Sequence, residues 1–469
     1  MKVNDLLKVE VLDLALGGAG LARHEGRVVF VDRGLPGDLL EARVTRVKRG
    51  YAEARRSRLE TPSPLRIAPR CDHVDQCGGC RFQELDYAEQ CLAKTRQVRE
   101  ALEHLGGIKD PSVGTIVPAP QVFGYRNKME FSFHPDPATA EPVLGLHERN
   151  AFDRVFAVRH CHLCSPLTNE IVRLTQAFAR EHAWRAYHPR LHTGVVRYLT
   201  VRHLEHTGQC AAHLVASSDE IPGVSQWAAA VAALSPDVKT VTLHLNRGRA
   251  NVAFGDEERA LFGPGTIVER LLGLEFEAGL NVFLQTNSTQ AEALYQAAID
   301  AAGLEGHETV LDLYCGTGTL TMLFARVARA AIGVESVSDS IVGARRNVKR
   351  NGIQNATFVE GEARKVLREW ARGERDDAPR PEVVVVDPPR SGLHPRVVAR
   401  IAELEPRRVV YVSCNPATLA RDLKDFAQYG WALAHVQPFD MFPHTPHIEC
   451  VARLERVGKV SAAPAAVAE

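Results

Sequence analysis

Three residues near the C-terminal end of the chain have types and positions suited to covalent chemistry. Cys414 closes the apolar run Tyr411-Val412-Ser413 and is followed by Asn415-Pro416, so it stands where a strand ends and a helix begins. A thiol there is either inert filler or a nucleophile, and the helix start at Pro416 is expected to lower its pKa and favour the second reading. Asp387, in Asp387-Pro388-Pro389-Arg390, ends the preceding buried run Glu382 to Val386 and so belongs to the same rim. Amino-group methyltransferases place an aromatic residue after such paired prolines; Arg390 stands there instead. Glu449, in Pro446-His447-Ile448-Glu449-Cys450, is a carboxylate among apolar neighbours, where burial raises proton affinity toward that of a useful base.

A rim of strand ends is also where open α/β sheets bind ligands. The run Val310 to Thr319 (VLDLYCGTGT) puts an apolar strand before a glycine turn and a helix, and Glu335 ends the next strand about twenty residues on, placed to accept both ribose hydroxyls of a nucleoside. No third glycine follows, so a dinucleotide is disfavoured, though on these residues alone it competes with adenosylmethionine.

The elements that hold these residues follow from alternation. From Leu280 onward strands and helices alternate (TVLDLYCG, AAIGVE, SIVGARRNVKRNG, ATFVEG, EVVVVDPP, HPRVVARIAEL, RRVVYVSC), which predicts a mostly parallel, Rossmann-like α/β sheet over 281–456, ending in a hairpin of WALAHVQPFD and HIECVARLERV. Residues 1–62 carry short Val/Leu runs between Gly and Pro turns, the pattern of a small antiparallel β-barrel, bounded by TPSPLRIAPR. Residues 69–280 read as a central α+β domain, and 457–469 as a flexible tail.

Charge is balanced overall, 57 basic against 57 acidic residues among 469, but from Arg43 to Arg70 nine Lys or Arg face only Glu53 and Glu60. Such a run either meets phosphates or is a solvated face. The opening MKVNDLLKVE has no apolar core of signal-peptide length and no stretch is long enough to span a bilayer, so a cytoplasmic protein without a membrane partner is expected. Ten cysteines in that compartment are not a disulfide framework. Cys71, Cys77 and Cys80 can reach one centre; Cys161 and Cys164 compete to be the fourth ligand, and four thiolates suit an iron–sulfur cluster or structural zinc.

Taken together, FLQTN, DLYCGTGT, GVE, DPPRSGL, YVSCNPATLARDL and PHIECVARL resemble the RNA uracil-5-methyltransferases over nearly all of the last 190 residues. The resemblance implies Cys414 as nucleophile and Glu449 as base, with Gln285, Tyr314, Glu335 and Asp387 contacting S-adenosylmethionine. It further implies a TRAM-like, OB-like RNA-binding barrel at the N-terminus, RNA contacts by Arg126 and Lys128, and a four-iron, four-sulfur cluster on Cys71, Cys77, Cys80 and Cys161, leaving Cys164 unassigned. Phe283 holds the place of a ring that grips the RNA target; a core position is the other reading. Members with both barrel and cysteines are similar to 23S ribosomal-RNA enzymes, so that RNA is the expected partner, with tRNA the alternative. An RNA cytosine-5-methyltransferase is disfavoured because Arg390 stands where that pattern has a cysteine. The remaining alternative is an iron–sulfur RNA-binding or chaperone protein with an inactive methyltransferase domain.

Overall fold

The computed structural model describes residues 1–151, 153–375 and 380–457. The tail expected at 457–469 lies, apart from Val457, outside the described residues.

Strands β1 (Leu6–Leu14), β2 (Gly20–His24), β3 (Arg27–Asp32), β4 (Leu39–Val47) and β5 (Tyr51–Thr61) close a barrel in the order β1-β2-β3-β5-β4. Period-two alternation turns Leu7, Val9, Val11, Leu40, Ala42 and Val44 into its core. The barrel is not wholly antiparallel, because β5 inserts between β3 and β4 and therefore runs parallel to β3. The basic run divides between two roles. Arg43, Arg46, Lys48, Arg49, Arg55, Arg58 and Arg70 are exposed, whereas Arg56 and Arg66 turn inward. Arg66 grips the fully buried Asp38 at 2.6 Å and Glu84 at 2.9 Å, tying the barrel to the segment after it.

That segment forms α1 (Tyr87–Glu100), capped by Asp86, whose carboxylate accepts from Ala88 N. The central sheet follows. It comprises β6 (Lys128–Pro135), β7 (Pro142–His147), β8 (Val155–Ala157), β9 (Val196–His203), β10 (Cys210–Ala216), β11 (Val238–Leu245) and β12 (Glu257–Phe262), in the order β12-β11-β10-β9-β6-β7-β8. Helices α2 (Pro166–Glu181) and α3 (Val224–Ala233) pack on it, with Trp184 and Trp227 edge to face in the core between them. β10 is buried along its whole length, so it reads as an unbroken run of buried residues instead of alternating.

A hairpin, β13 (Ile267–Leu271) and β14 (Leu274–Ala278), leads into the third unit: α4 (Ser288–Ala302), β15 (Thr309–Leu313), α5 (Thr319–Ala325), β16 (Ala330–Glu335), α6 (Ser338–Arg350), β17 (Ala356–Glu360), α7 (Ala363–Ala371), β18 (Val383–Val386), α8 (Pro395–Glu403), β19 (Arg408–Ser413), α9 (Pro416–Gln428), β20 (Trp431–Phe439) and β21 (Glu449–Arg456). The sheet order is β17-β16-β15-β18-β19-β21-β20, with β21 running against the others, so that its pairings with β19 and β20 are antiparallel. Val384 and Val386 face the layer made by α1, α7, α8 and α9, while Val383 and Val385 face α4, α5 and the β13–β14 hairpin. Burial on both faces explains the uninterrupted valines of β18. Among the described residues no helix is long and apolar enough to cross a membrane.

Candidate active site

The strand order reverses between β15 and β18, and the ligand crevice of an open α/β sheet lies at the carboxyl ends of such strands. The glycine turn leaves β15 there. Tyr314 adopts φ +68° and Gly318 φ +81°; the first is sparsely populated for a side chain, and the second is held by Phe358, whose ring would meet a Cβ at 2.7 Å. Glu335, at the end of β16, accepts from Gly316 N at 3.1 Å with one oxygen and from Ser336 N and Val337 N with the other. Acid and turn are thus locked together, so both face any nucleoside in the crevice. Behind them Asp312 is buried, accepting from Thr321 Oγ1 at 2.6 Å, while its second oxygen has no partner among the described residues. Burial pushes this carboxyl up to about 7. Sequence reasoning passed over Asp312, although an acid inside an apolar strand was the available signal.

β19 and β21 bring Cys414 and Glu449 together. Ser413 is paired with Cys450, so Cys414 and Glu449 both lie one step beyond the last pair of these neighbouring antiparallel strands. Glu449 is buried; burial first, then the negative Asp387, pushes its carboxyl up to about 8, against the pull of Arg390. Asp387 is likewise raised by burial to about 7. The expectation for Cys414 is corrected: its thiol is pushed up, to about 11, by burial and then by Glu449 and Asp387, with Arg390 opposing. The α9 start does not lower it because burial, reinforced by two neighbouring acids, outweighs a helix end already capped by Asn415, whose side chain accepts from Ala417 N at 3.1 Å. Arg390 itself donates to His447 Nδ1 at 3.2 Å, and burial pushes that ring down to about 4, leaving it a neutral acceptor. His447, like Arg390, was not singled out as a site residue in the sequence.

The Gln285 loop completes the rim and is clamped from the central domain. Asn127 Nδ2 donates to Gln285 O at 3.0 Å and Ser288 Oγ at 2.8 Å, and Asn287 Nδ2 donates to Met441 O at 3.1 Å. Tyr125, in the same segment as Asn127, donates to Pro443 O at 3.1 Å. The GYRNK segment therefore fixes both the Gln285 loop and the loop before Glu449. Phe283 is 69% exposed, which removes the core reading of this ring.

Cys71, Cys77, Cys80 and Cys161 line one cavity of about 940 Å³ in the central domain, bordered by the Gln285 loop through Phe283 and Thr286. Four soft thiols around one space are the donor chemistry of an iron–sulfur or zinc site. As the side chains stand, no three His, Cys, Asp or Glu among the described residues converge closely enough to hold a metal ion. Cys164, unassigned in the sequence, is the hydrogen-bond partner of Cys161 and holds that thiol below its usual range, and Asn169 bridges the two from α2.

Residues 226–457 match the tRNA (uracil-5-)-methyltransferase family and residues 2–56 the TRAM domain. An uncharacterized RNA methyltransferase of Gloeobacter violaceus is 39% identical over 449 residues, spanning 96% of both chains. The chain belongs to the RNA uracil-5-methyltransferase family. A second relative of this methyltransferase, an uncharacterized RNA methyltransferase of Halalkalibacterium halodurans, is 36% identical over 96% of this chain and 97% of its own. Among solved structures, the tRNA (uracil-54, C5)-methyltransferase of Pyrococcus abyssi, in complex with S-adenosyl-L-homocysteine, superimposes with a TM-score of 0.76 at 29% identity, covering 95% of this chain and 99% of its own. The enzyme is thus an S-adenosylmethionine-dependent RNA methyltransferase carrying a TRAM barrel.

Proposed function

We propose that this enzyme methylates carbon 5 of a uridine in 23S ribosomal RNA through a covalent adduct with Cys414. The observation that carries the reading is the placement of Cys414 and Glu449 next to the Ser413–Cys450 pair that ends the β19–β21 register, with Glu449 and Asp387 both acting on the thiol. Carbon 5 of uracil is a weak nucleophile. Addition of the Cys414 sulfur to carbon 6 makes carbon 5 enolate-like, and Arg390 beside the thiol favours the thiolate that adds. S-adenosylmethionine supplies the electrophilic methyl group. Glu449 then takes the proton from carbon 5, the electron pair rebuilds the double bond, and the bond from carbon 6 to sulfur breaks, freeing Cys414. A buried carboxyl with proton affinity near pH 8 suits that step.

Gln285, Tyr314, Glu335 and Asp387 are the proposed cofactor contacts, gathered on one rim by the clamps described above. Cys71, Cys77, Cys80 and Cys161 are the proposed ligands of a four-iron cluster, with zinc as the alternative metal; the group would cross-link the cysteine segment to the start of α2. Bounds of 1–62, 69–280 and 281–456 for the three units, and a cytoplasmic location, belong to the same reading. The choice of ribosomal RNA rests on the resemblance of the barrel and cysteine set to 23S enzymes. A tRNA substrate is the second reading, favoured by the Pyrococcus abyssi enzyme's action on tRNA uracil 54. Mass-spectrometric mapping of 5-methyluridine in RNA from cells lacking the gene tests both. Loss from 23S RNA supports the proposal, loss from tRNA alone replaces the substrate, and no loss from either refutes the activity.

A further inference from the structure

The cavity beside the Gln285 loop has a second wall that the cysteines do not explain. Arg202, on β9, is fully buried there. Its Nη2 donates to Val282 O, but Nε and Nη1 have no hydrogen-bond partner among the described residues. Directly across the antiparallel ladder from Arg202 stands Lys128, on β6. Like charges opposite one another on neighbouring strands destabilise a sheet, and a buried guanidinium with two idle donors adds a desolvation cost. One carboxylate faces the pair: Glu130, which bonds Lys128 Nζ at 2.7 Å and is itself 47% exposed. Two cations and one half-solvated anion leave the wall short of negative charge.

We infer that Arg202 and Lys128 form a phosphodiester-binding subsite, which draws a nucleotide flanking the target uridine into this cavity. The inference rests on the RNA-methylating reading above; the resemblance already implies RNA contact for Lys128, and what is added is Arg202 and the phosphodiester that the two would share. The two cations are carried by the β6–β9 ladder, whereas the four cysteines lie on the segments that precede α1 and α2. The volume is within the range of pockets that enclose small ligands. Phe283, next in sequence to the carbonyl that Arg202 holds, stands exposed at the border, placed to stack on a base whose phosphate lies deeper.

The test uses the intact enzyme and a fluorescein-labelled oligouridylate, with anisotropy titrations over a range of salt concentrations. Arg202→Met should weaken binding about tenfold, as expected for a hydrogen bond to a charged group, and flatten the salt slope by about 0.7, one phosphate contact. Affinity for S-adenosylhomocysteine and bound iron should be unchanged, and the melting temperature equal to or above that of the parent, since an uncompensated charge has been replaced by an apolar chain of similar length. Lys128→Gln, at a less buried position, should flatten the slope in the same way and gives the answer even if the first variant fails to fold. Unchanged affinity and slope in either folded variant, while the parent still methylates RNA, would overturn the subsite alone. Loss of iron with oligouridylate binding intact would overturn it in favour of a cluster-supporting role. A parent enzyme that methylates no RNA would overturn the functional reading with it.

Discussion

Replacing Glu449 by glutamine separates chemistry from stability. The carboxyl is ordinary at 4.5 in the unfolded chain and about 8 in the fold. Each pH unit between the two values corresponds to about 1.4 kcal/mol, so ionised Glu449 costs the native state about 5 kcal/mol as an upper bound. The sign follows from which form the fold prefers. A carboxyl raised on folding favours the protonated state, so the cost is absent below pH 4.5, grows between 4.5 and 8, and is constant above. Glutamine keeps the shape without the charge. Glu449→Gln should therefore melt close to the parent at pH 4.5 and above it at pH 8.5, by about 2 to 5 °C for a chain of this length, the lower figure applying if relaxation removes half of the cost. The same variant should accumulate a covalent methylated-RNA adduct, visible as a protein band shifted on a denaturing gel, because methyl transfer precedes proton removal. An identical melting difference at both pH values would refute the buried-carboxyl argument, and near-normal turnover without adduct would refute the role as base.

Three other outcomes follow from the same geometry. Cys414→Ala should bind S-adenosylhomocysteine with parental affinity in calorimetry yet form no adduct and transfer no methyl, since other residues build the cofactor pocket. Gly318→Ala places a Cβ at 2.7 Å from the Phe358 ring at φ +81°, so S-adenosylhomocysteine affinity should fall at least about tenfold, with about 1 to 3 kcal/mol of local strain. Lys94→Ala leaves the buried Asp440 without its 2.6 Å partner and should cost about 3 to 5 kcal/mol in urea unfolding, whereas Lys94→Met with Asp440→Leu should recover most of that loss.

The candidate rim was legible in its placement, because each of its residues stands at the end of an apolar run. Cys414, Asp387 and the glycine turn each follow such a run in the sequence and a strand in the fold, and Glu335 is the last residue of its strand. What escaped depends on partners far apart in the chain. α1 reads as part of a central segment, yet its Val98, with Leu102 just beyond its end, shares the core beneath the C-terminal sheet with Val397 and Leu419. Val113 and Val117 pair with Val436 and Phe439 of β20. The parallel β3–β5 pairing also follows from closure of the barrel and from no local pattern. For Cys414 the local signal, a helix start, pointed the wrong way because burial, and after it the carboxyls of Glu449 and Asp387, raise the thiol. Arg202 gives no motif; only its place opposite Lys128 marks it.

The ion pair between Lys94 and Asp440 also sets a timetable. The two residues are 346 positions apart, and both are fully buried. On a ribosome adding about 5 to 20 residues per second, Lys94 waits roughly 20 to 70 s for its partner. Through that interval docking α1 beneath the sheet would bury a naked ammonium, so the helix has no stable seat. β21, which carries Glu449, emerges later still and must slide between β19 and β20. A growing chain therefore carries Cys414 before Glu449 is made, and the seat of α1 and the strand that holds Glu449 arrive almost together.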